Sequence, residues 1–301
     1  MFAHSRPSLV TSRLSAHFRS ISTMTITFNL PSTNPPVPVH IPPESPHTAT
    51  VSEPDLLNFP AFKTWVGTLQ RSLSLQSRAS HEFHKDPYAL RNITIQCIDR
   101  FGGGRIGFVK LKAELSNNSG EKLPGSVFLR GGSVAMLVIL QPDDVSEKSE
   151  DDKHVLLTLQ PRAPAGTLAL AELPAGMIDA GTFSGAAAKE IEEEIGLTIP
   201  HEELTDLTAL ALGDTEDGLQ KGVYTSAGGS DEFVPVFMHQ RRVKRAELSE
   251  WTGKLTGLRD HGEKITLKCV RLSELWGEGS RDAKALSAWA LYEGLKKAGK
   301  I

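Results

Sequence analysis

Cysteine is nearly absent: the 301 residues hold two, Cys97 and Cys269. Two such distant cysteines make no disulfide framework, and no Cys/His pair stands at zinc-ligand spacing. Long apolar runs are missing too. None approaches the ~20 residues of a membrane-spanning helix, so no membrane partner is expected. Nor is there an excess of basic charge. Lys and Arg number 33 against 36 Asp and Glu, a formal net charge of −3, which leaves no electrostatic footprint for a nucleic-acid groove. What remains is an ordinary enzyme-like composition, 39% hydrophobic and 23% charged. The length suffices for one large or two small domains.

One absence is local. No acidic residue precedes Glu44, while Arg6, Arg13 and Arg19 punctuate a Ser-rich segment in which Val10, Leu14, Phe18 and Ile21 recur at helical spacing. This is the composition of a mitochondrial transit peptide. A disordered tail carrying a few arginines would look the same, and Met24 offers a start for a shorter, cytoplasmic form. Seven prolines between 31 and 46 predict a linker that does not pack. Residues 1–50 are therefore expected to lie outside the fold.

Beyond them, 52–79 carries a broad apolar face at helical spacing, interrupted at Pro60. Strand-like runs at 93–97, 106–111 and 127–129, separated by Gly-rich or Asn-Asn-Ser-Gly turns, predict a small antiparallel sheet over about 88–130. Further strands are expected at 134–140, 155–159, 204–212, 234–239 and 265–271, with a polar surface loop at 143–152 and a closing helix at 282–297. Strands on both sides of one central helix, with a second helix at the end, suggest a mixed sheet between helices.

That central helix carries the chemistry. Ser184 can cap it, and Gly196 is a natural stop. Glu190 and Glu194 stand four apart with Glu193 beside them, so all three carboxylates share a face, while Ile191 and Ile195 form the adjacent apolar face. A glutamate run on a helix is usually only a solvated face. Like charges at this spacing repel, however, and a hard divalent cation such as Mg²⁺ or Mn²⁺ removes that cost.

The stretch 172–197, Glu-Leu-Pro-Ala-Gly-Met-Ile-Asp-Ala-Gly-Thr-Phe-Ser-Gly-Ala-Ala-Ala-Lys-Glu-Ile-Glu-Glu-Glu-Ile-Gly-Leu, resembles the Nudix box. Gly176 matches its first glycine. Lys189, Glu190, Ile191, Glu193, Glu194, Gly196 and Leu197 fall on its second half. Thr182 stands where the box has its first glutamate, the segment between Thr182 and Lys189 is one residue short, and Lys189 replaces arginine. The Glu-Leu-Pro-Ala-Gly lead-in is similar to that of members acting on ADP-ribose and nucleotide sugars, with plant-type ADP-sugar diphosphatases nearest.

The resemblance implies an α+β fold, a Nudix α/β/α sandwich with a mixed sheet over 131–301, preceded by a small antiparallel sheet domain over 51–130. It also implies Mg²⁺-dependent hydrolysis of the pyrophosphate bond of ADP-sugars, yielding AMP and a sugar phosphate. Glu190, Glu193, Glu194 and the carbonyl of Ala175 would be the metal ligands, and Glu263 or the box residue Glu193 the general base. Arg162, in Gln160-Pro-Arg162, and the Gly228, Gly229 and Glu232 loop would face the substrate. Related enzymes are homodimers, so a homodimer is expected. UDP-sugars or dinucleotides remain open as substrates. So does a nucleotide-sugar sensor with weak catalysis. Trp65, Phe101 and Phe128, the aromatic candidates for a base contact, read better as core.

Overall fold

The computed structural model describes residues 25–31, 33–42, 51–178, 185, 188, 192–215, 217–257 and 264–301. Its first sheet begins earlier than the composition suggests. Strands β1 (Ile26–Asn29) and β2 (Pro38–Ile41) pair antiparallel, and the Leu30 N–H donates to the Val37 carbonyl at 2.8 Å. The expectation that residues 1–50 stay outside the fold is thus corrected for 26–41. Pro31, Pro35 and Pro36 lie between the strands and Pro38 opens β2, while the alternating Val37, Val39 and Ile41 are all buried. An alternation of period two on one face of a sheet outweighs a proline count.

Ser52 opens α1 (Glu53–Asn58) with a capping box, its hydroxyl accepting from the Asp55 N–H and its own N–H donating to the Asp55 carboxylate. Pro60 then starts α2 (Pro60–Leu75), where a missing N–H costs nothing. The long strands β3 (Ala89–Arg100) and β4 (Ile106–Ser116) follow, then β5 (Lys122–Leu123) and β6 (Ser126–Leu129). The order is β1-β2-β3-β4-β5 with β6 also on β4, and β2 and β3 run parallel. Leu56 and Phe62 of the helices pack on Ile93, Ile95, Leu111 and Leu129. Phe101 and Phe128 are not core as expected. They are more than a third exposed and both contact Phe108, Phe101 edge-on and Phe128 tilted.

The second sheet is built on β7 (Ser133–Pro142), all ten of whose residues are buried. It continues through β8 (His154–Arg162), β9 (Thr167–Glu172), β10 (Ala175–Met177) and β11 (Thr205–Asp206). After α3 (Leu207–Leu212) come the short pair β12 (Val223–Tyr224) and β13 (Phe233–Val234), then β14 (Val236–Val243). Helix α4 (Arg245–Trp251), β15 (Leu255–Thr256), β16 (Ile265–Arg271), α5 (Leu275–Glu278) and α6 (Ala283–Lys297) complete the chain. The sheet order is β11-β14-β7-β8-β16-β15, mixed because β14 runs parallel to β7.

Alternate β7 residues serve opposite layers. Val134, Met136, Val138 and Leu140 pack with Ile195, Leu197 and Trp251. Leu137 and Ile139 pack with Leu207, Leu275, Ala288 and Tyr292. This is the anticipated mixed sheet between helical layers. The segment 204–212, expected as a strand, is mostly helix. Asp206 caps it by accepting from the Ala209 N–H at 2.8 Å, and Leu-Thr-Ala-Leu-Ala-Leu is a good helix-forming run.

The polar loop 143–152 is held tightly. Gln141 donates to the carbonyls of Ser146 and Ser149, Arg242 to those of Asp143 and Val145, and Arg245 bridges Asp144 and Asp152. At its end the buried Lys153 meets Glu150 at 2.7 Å and the Tyr292 hydroxyl at 3.0 Å, and Lys296 reaches the same carboxylate. Partial burial alone would raise the Glu150 pKa. Hydrogen bonds from Lys153, Lys296 and Tyr292 outweigh it and bring the group from 4.5 to about 2. A carboxylate whose folded pKa is depressed stabilises the fold above its unfolded pKa and loses that contribution as pH falls through the folded value. The stability gap between wild type and Glu150→Gln, measured by urea denaturation, is therefore expected to be constant above about pH 5 and to close between pH 4.5 and about 2. A gap independent of pH would show that the ion cluster contributes nothing through charge.

Candidate active site

The second sheet forks where β7 and β8 part. These strands pair only at Ile139–Val155 and Leu140–His154. Further along, β8 takes β9 as its partner and β7 takes β10. The turn Glu172-Leu-Pro-Ala therefore lies in the cleft of the fork, its Pro174 carbonyl accepting from the Met136 N–H at 2.9 Å.

Of the expected metal ligands, Glu194 and Ala175 come together here. Residues 192–195 are helical, Ile195 is anchored in the core, and Gly196 turns the chain away at φ +76°. That places the buried Glu194 carboxylate against the fork, where it accepts from the Ala175 N–H at 3.0 Å and the Gln160 side-chain amide at 3.4 Å. Glu193 is half-buried on the same turn. Glu190, Lys189, Thr182 and Ser184 of the box, and the candidate base Glu263, lie outside the described residues. Among the described residues no three His, Cys, Asp or Glu side chains form a metal cluster. The Glu194 carboxylate at the fork and the half-buried Glu193 next to it in the chain offer oxygen donors only. That chemistry fits a hard divalent ion such as Mg²⁺ or Mn²⁺.

Arg162 ends β8 beside the fork. Its Nε donates to Glu172 Oε2 at 2.6 Å, and the side chain is 39% exposed. Glu172 is buried, and its other oxygen meets Lys284 Nζ at 3.1 Å. Lys284 also contacts Asp282 at 2.9 Å, and Asp282, the cap of α6, accepts from the Leu173 N–H at 2.9 Å. Burial alone would lower the Lys284 pKa; the Asp282 and Glu172 carboxylates outweigh it and hold the ammonium above its ordinary value.

Glu232 is fully engaged within the chain. It accepts from Ser133 and Thr225 hydroxyls, each at 2.8 Å, and pairs with Arg130 at 3.0 Å. Neighbouring Asp231 accepts from the Arg130 and Gly131 N–H groups, and the Gly229 carbonyl from the Phe128 N–H at 2.7 Å. The 226–232 loop is thus stitched to the exit of the first sheet. Gly228 and Gly229 face open space, where an added Cβ would meet nothing within 4 Å. Packing does not require glycine there, and the open side leaves room for a ligand. A cavity of about 400 Å³ lies between the two sheets, lined by Arg100, Arg105, Arg130, Phe101, Met177 and Ile178 among others.

Sequence reading did not single out Glu172, Lys284 or Arg130 as partners of the site. The first two stood within stretches already noted, but their contact spans 112 residues. No local spacing announces such a pair.

The described residues thus form a mixed sheet between helical layers, forked around an acidic helix end and the 172–175 turn. A family model described as the NUDIX domain matches residues 144–289. Nudix hydrolase 14, chloroplastic, of Arabidopsis thaliana is 36% identical over 289 residues, covering 94% of this chain and 85% of that protein. A solved structure described as the crystal structure of an ADP compounds hydrolase aligns at TM-score 0.42 and 17% identity, over 71% of this chain and 99% of its own. The chain belongs to the Nudix hydrolase family.

A ligand role for Glu194 predicts that Glu194→Gln, which keeps shape and the acceptor for Ala175, lowers turnover about 10²-fold or more at saturating Mg²⁺ with little change in thermal stability. Unchanged turnover would remove Glu194 from the metal site.

Proposed function

We propose that this Nudix hydrolase cleaves the pyrophosphate bond of nucleotide sugars, ADP-ribose and ADP-glucose foremost, to AMP and a sugar phosphate. The observation that carries the reading is the position of Glu194 against Ala175 in the fork, with the Gln160-Pro-Arg162 segment alongside. Glu190, Glu193, Glu194 and the Ala175 carbonyl are the proposed ligands. Mg²⁺, with Mn²⁺ as a substitute, would neutralise the pyrophosphate charge and polarise phosphorus. Arg162 offers its guanidinium to a phosphate oxygen. Glu263 takes the proton of the attacking water, with Glu193 the alternative base. The open side of Gly228 and Gly229 admits the substrate, and Glu232 fixes the loop that carries them. The arginine-lined cavity beside Met177 has the charge for the nucleotide end. A homodimer completes the proposal, each copy with a unit of 51–130 extended by the strands within 26–41 and a unit of 131–301.

The test is a Mg²⁺-dependent screen of nucleotide sugars with products resolved chromatographically. AMP and ribose 5-phosphate from ADP-ribose are expected. Faster turnover of UDP-sugars or dinucleotides would overturn the adenine assignment, and binding without turnover would make the protein a sensor. Glu263→Gln is expected to slow turnover about 10²–10⁴-fold while KM and the Mg²⁺ requirement hold, whereas Glu190→Gln weakens the Mg²⁺ dependence itself. Near-normal turnover of Glu263→Gln would move the base to a box glutamate such as Glu193, or to Glu232.

We further propose that the Arg-bearing, acid-free N-terminal segment directs the chain to an organelle, the mitochondrion by its composition. The Arabidopsis relative's name places that protein in the chloroplast. A full-length fluorescent fusion should be mitochondrial and one lacking residues 1–23 cytosolic. A diffuse full-length fusion would end the idea, and a plastid signal would correct the organelle.

A further inference from the structure

Four alternating charges lie in one row beside the fork: Arg162, Glu172, Lys284 and Asp282. Three of the four are largely buried. Glu172 is 5% exposed, Asp282 5%, and the Lys284 side chain 14%. They come from β8, β9 and the start of α6, distant in sequence. Arg162, whose side chain is 39% exposed, is the member of the row open to solvent.

The arrangement is more than a helix cap. Asp282 alone would cap α6 through its bond to the Lys284 N–H at 3.0 Å. Glu172 needs a cation on each oxygen because a buried carboxylate is costly unless paired. Arg162 supplies one and Lys284 the other. Because Glu172 takes the Arg162 Nε, the guanidinium can offer a ligand only its two Nη groups, and the orientation of that edge is set by the carboxylate plane. The carboxylate plane is in turn set by Lys284, which also holds Asp282 and through it the Leu173 N–H at the start of the Pro174-Ala175 turn.

We propose that Lys284 is a positioning residue for substrate binding, orienting the Arg162 guanidinium toward a diphosphate through their shared partner Glu172. The inference rests on the reading of Arg162 as a phosphate-binding residue. Without the ammonium, Glu172 and Asp282 face one guanidinium with two negative charges. Arg162 is then drawn toward the carboxylates and away from the ligand.

The experiment is a double-mutant cycle on ADP-ribose hydrolysis with Mg²⁺, reading KM and kcat separately. Lys284→Met is expected to raise KM about 10-fold with a much smaller change in kcat, and Lys284→Arg, which keeps the charge, to restore most of it. In an Arg162→Ala background, Lys284→Met should change KM no further, because the residue it positions is gone. A merely structural lysine would lower the melting temperature and leave KM alone. A through-space charge effect would raise KM equally in both backgrounds. Either result overturns the proposal. Should Lys284→Met fail to fold, Glu172→Gln serves in its place, with the same KM rise and the same silence beside Arg162→Ala expected. Should the wild-type enzyme hydrolyse no ADP-sugar, the substrate reading falls by itself. The same cycle is then read as the affinity for inorganic pyrophosphate with Mg²⁺ by calorimetry. A wild-type affinity that Lys284→Met weakens only when Arg162 is present sustains the positioning role, and any other pattern ends it.

Discussion

The fork between β7 and β8 is the constraint on which the site depends. Two neighbouring strands that part leave rows of unpaired N–H and carbonyl groups in the middle of a buried sheet, where each orphan is costly. β9 and β10 satisfy them, one on each arm. The chain joining β9 to β10 must therefore cross the cleft, and it does so in two residues, Leu173 and Pro174. The backbone of this turn is fixed by the hydrogen-bonding needs of the sheet before any ligand is considered. Glu194 then reads the Ala175 N–H from the helical side. A site organised this way is rigid because the sheet would lose pairing if the turn moved.

A second set of contacts brings the other sheet to the same place. Asp231 and Glu232 sit at the end of the Gly-Gly loop and hold Arg130 and Gly131, the first residues after β6. Burial pushes the Asp231 carboxyl above its ordinary range, against the pull of the two N–H donors. The segment joining the sheets is short, and its two ends are tied to the 226–232 loop by carboxylates and to Ile178 through the Gly132 carbonyl at 3.1 Å. Arg100, Arg105 and Arg130 thereby share one cavity wall although they come from separate elements.

Much of this was legible in the sequence. The continuous apolar runs of β7 and β8, the helix broken at Pro60, the strand Ile265–Arg271 and the closing helix each follow from local pattern. Membership of the family was written in residues 172–197. Two kinds of feature were not legible. The β1–β2 hairpin was masked by its prolines, because composition averages over a window while pairing depends on which positions alternate. The helix at Leu207–Leu212 was read as a strand from its apolar residues, although Asp206 supplied a cap. The charged row through Glu172 and Lys284, like the grip of Arg130 on Glu232, joins residues far apart in the chain. Their charges were visible and their neighbours were not.

The parallel pairing of β7 with β14 also sets a timetable. Residues 135–142 find their partners at 236–243, about a hundred positions later in the chain. During synthesis the most apolar strand of the molecule leaves the ribosome long before the segment that covers one of its edges. Neither the β8 hairpin nor the helices can substitute for β14 on that edge. At elongation rates of about 5–20 residues per second, the interval is several seconds. Pairings between distant segments are also the slow ones to form. Over that time β7 is a bare, ten-residue hydrophobic edge of the kind that invites strand addition from another chain. The nascent protein is thus a natural client for chaperones until β14 closes the sheet, and expression at lower elongation rates lengthens the period of risk.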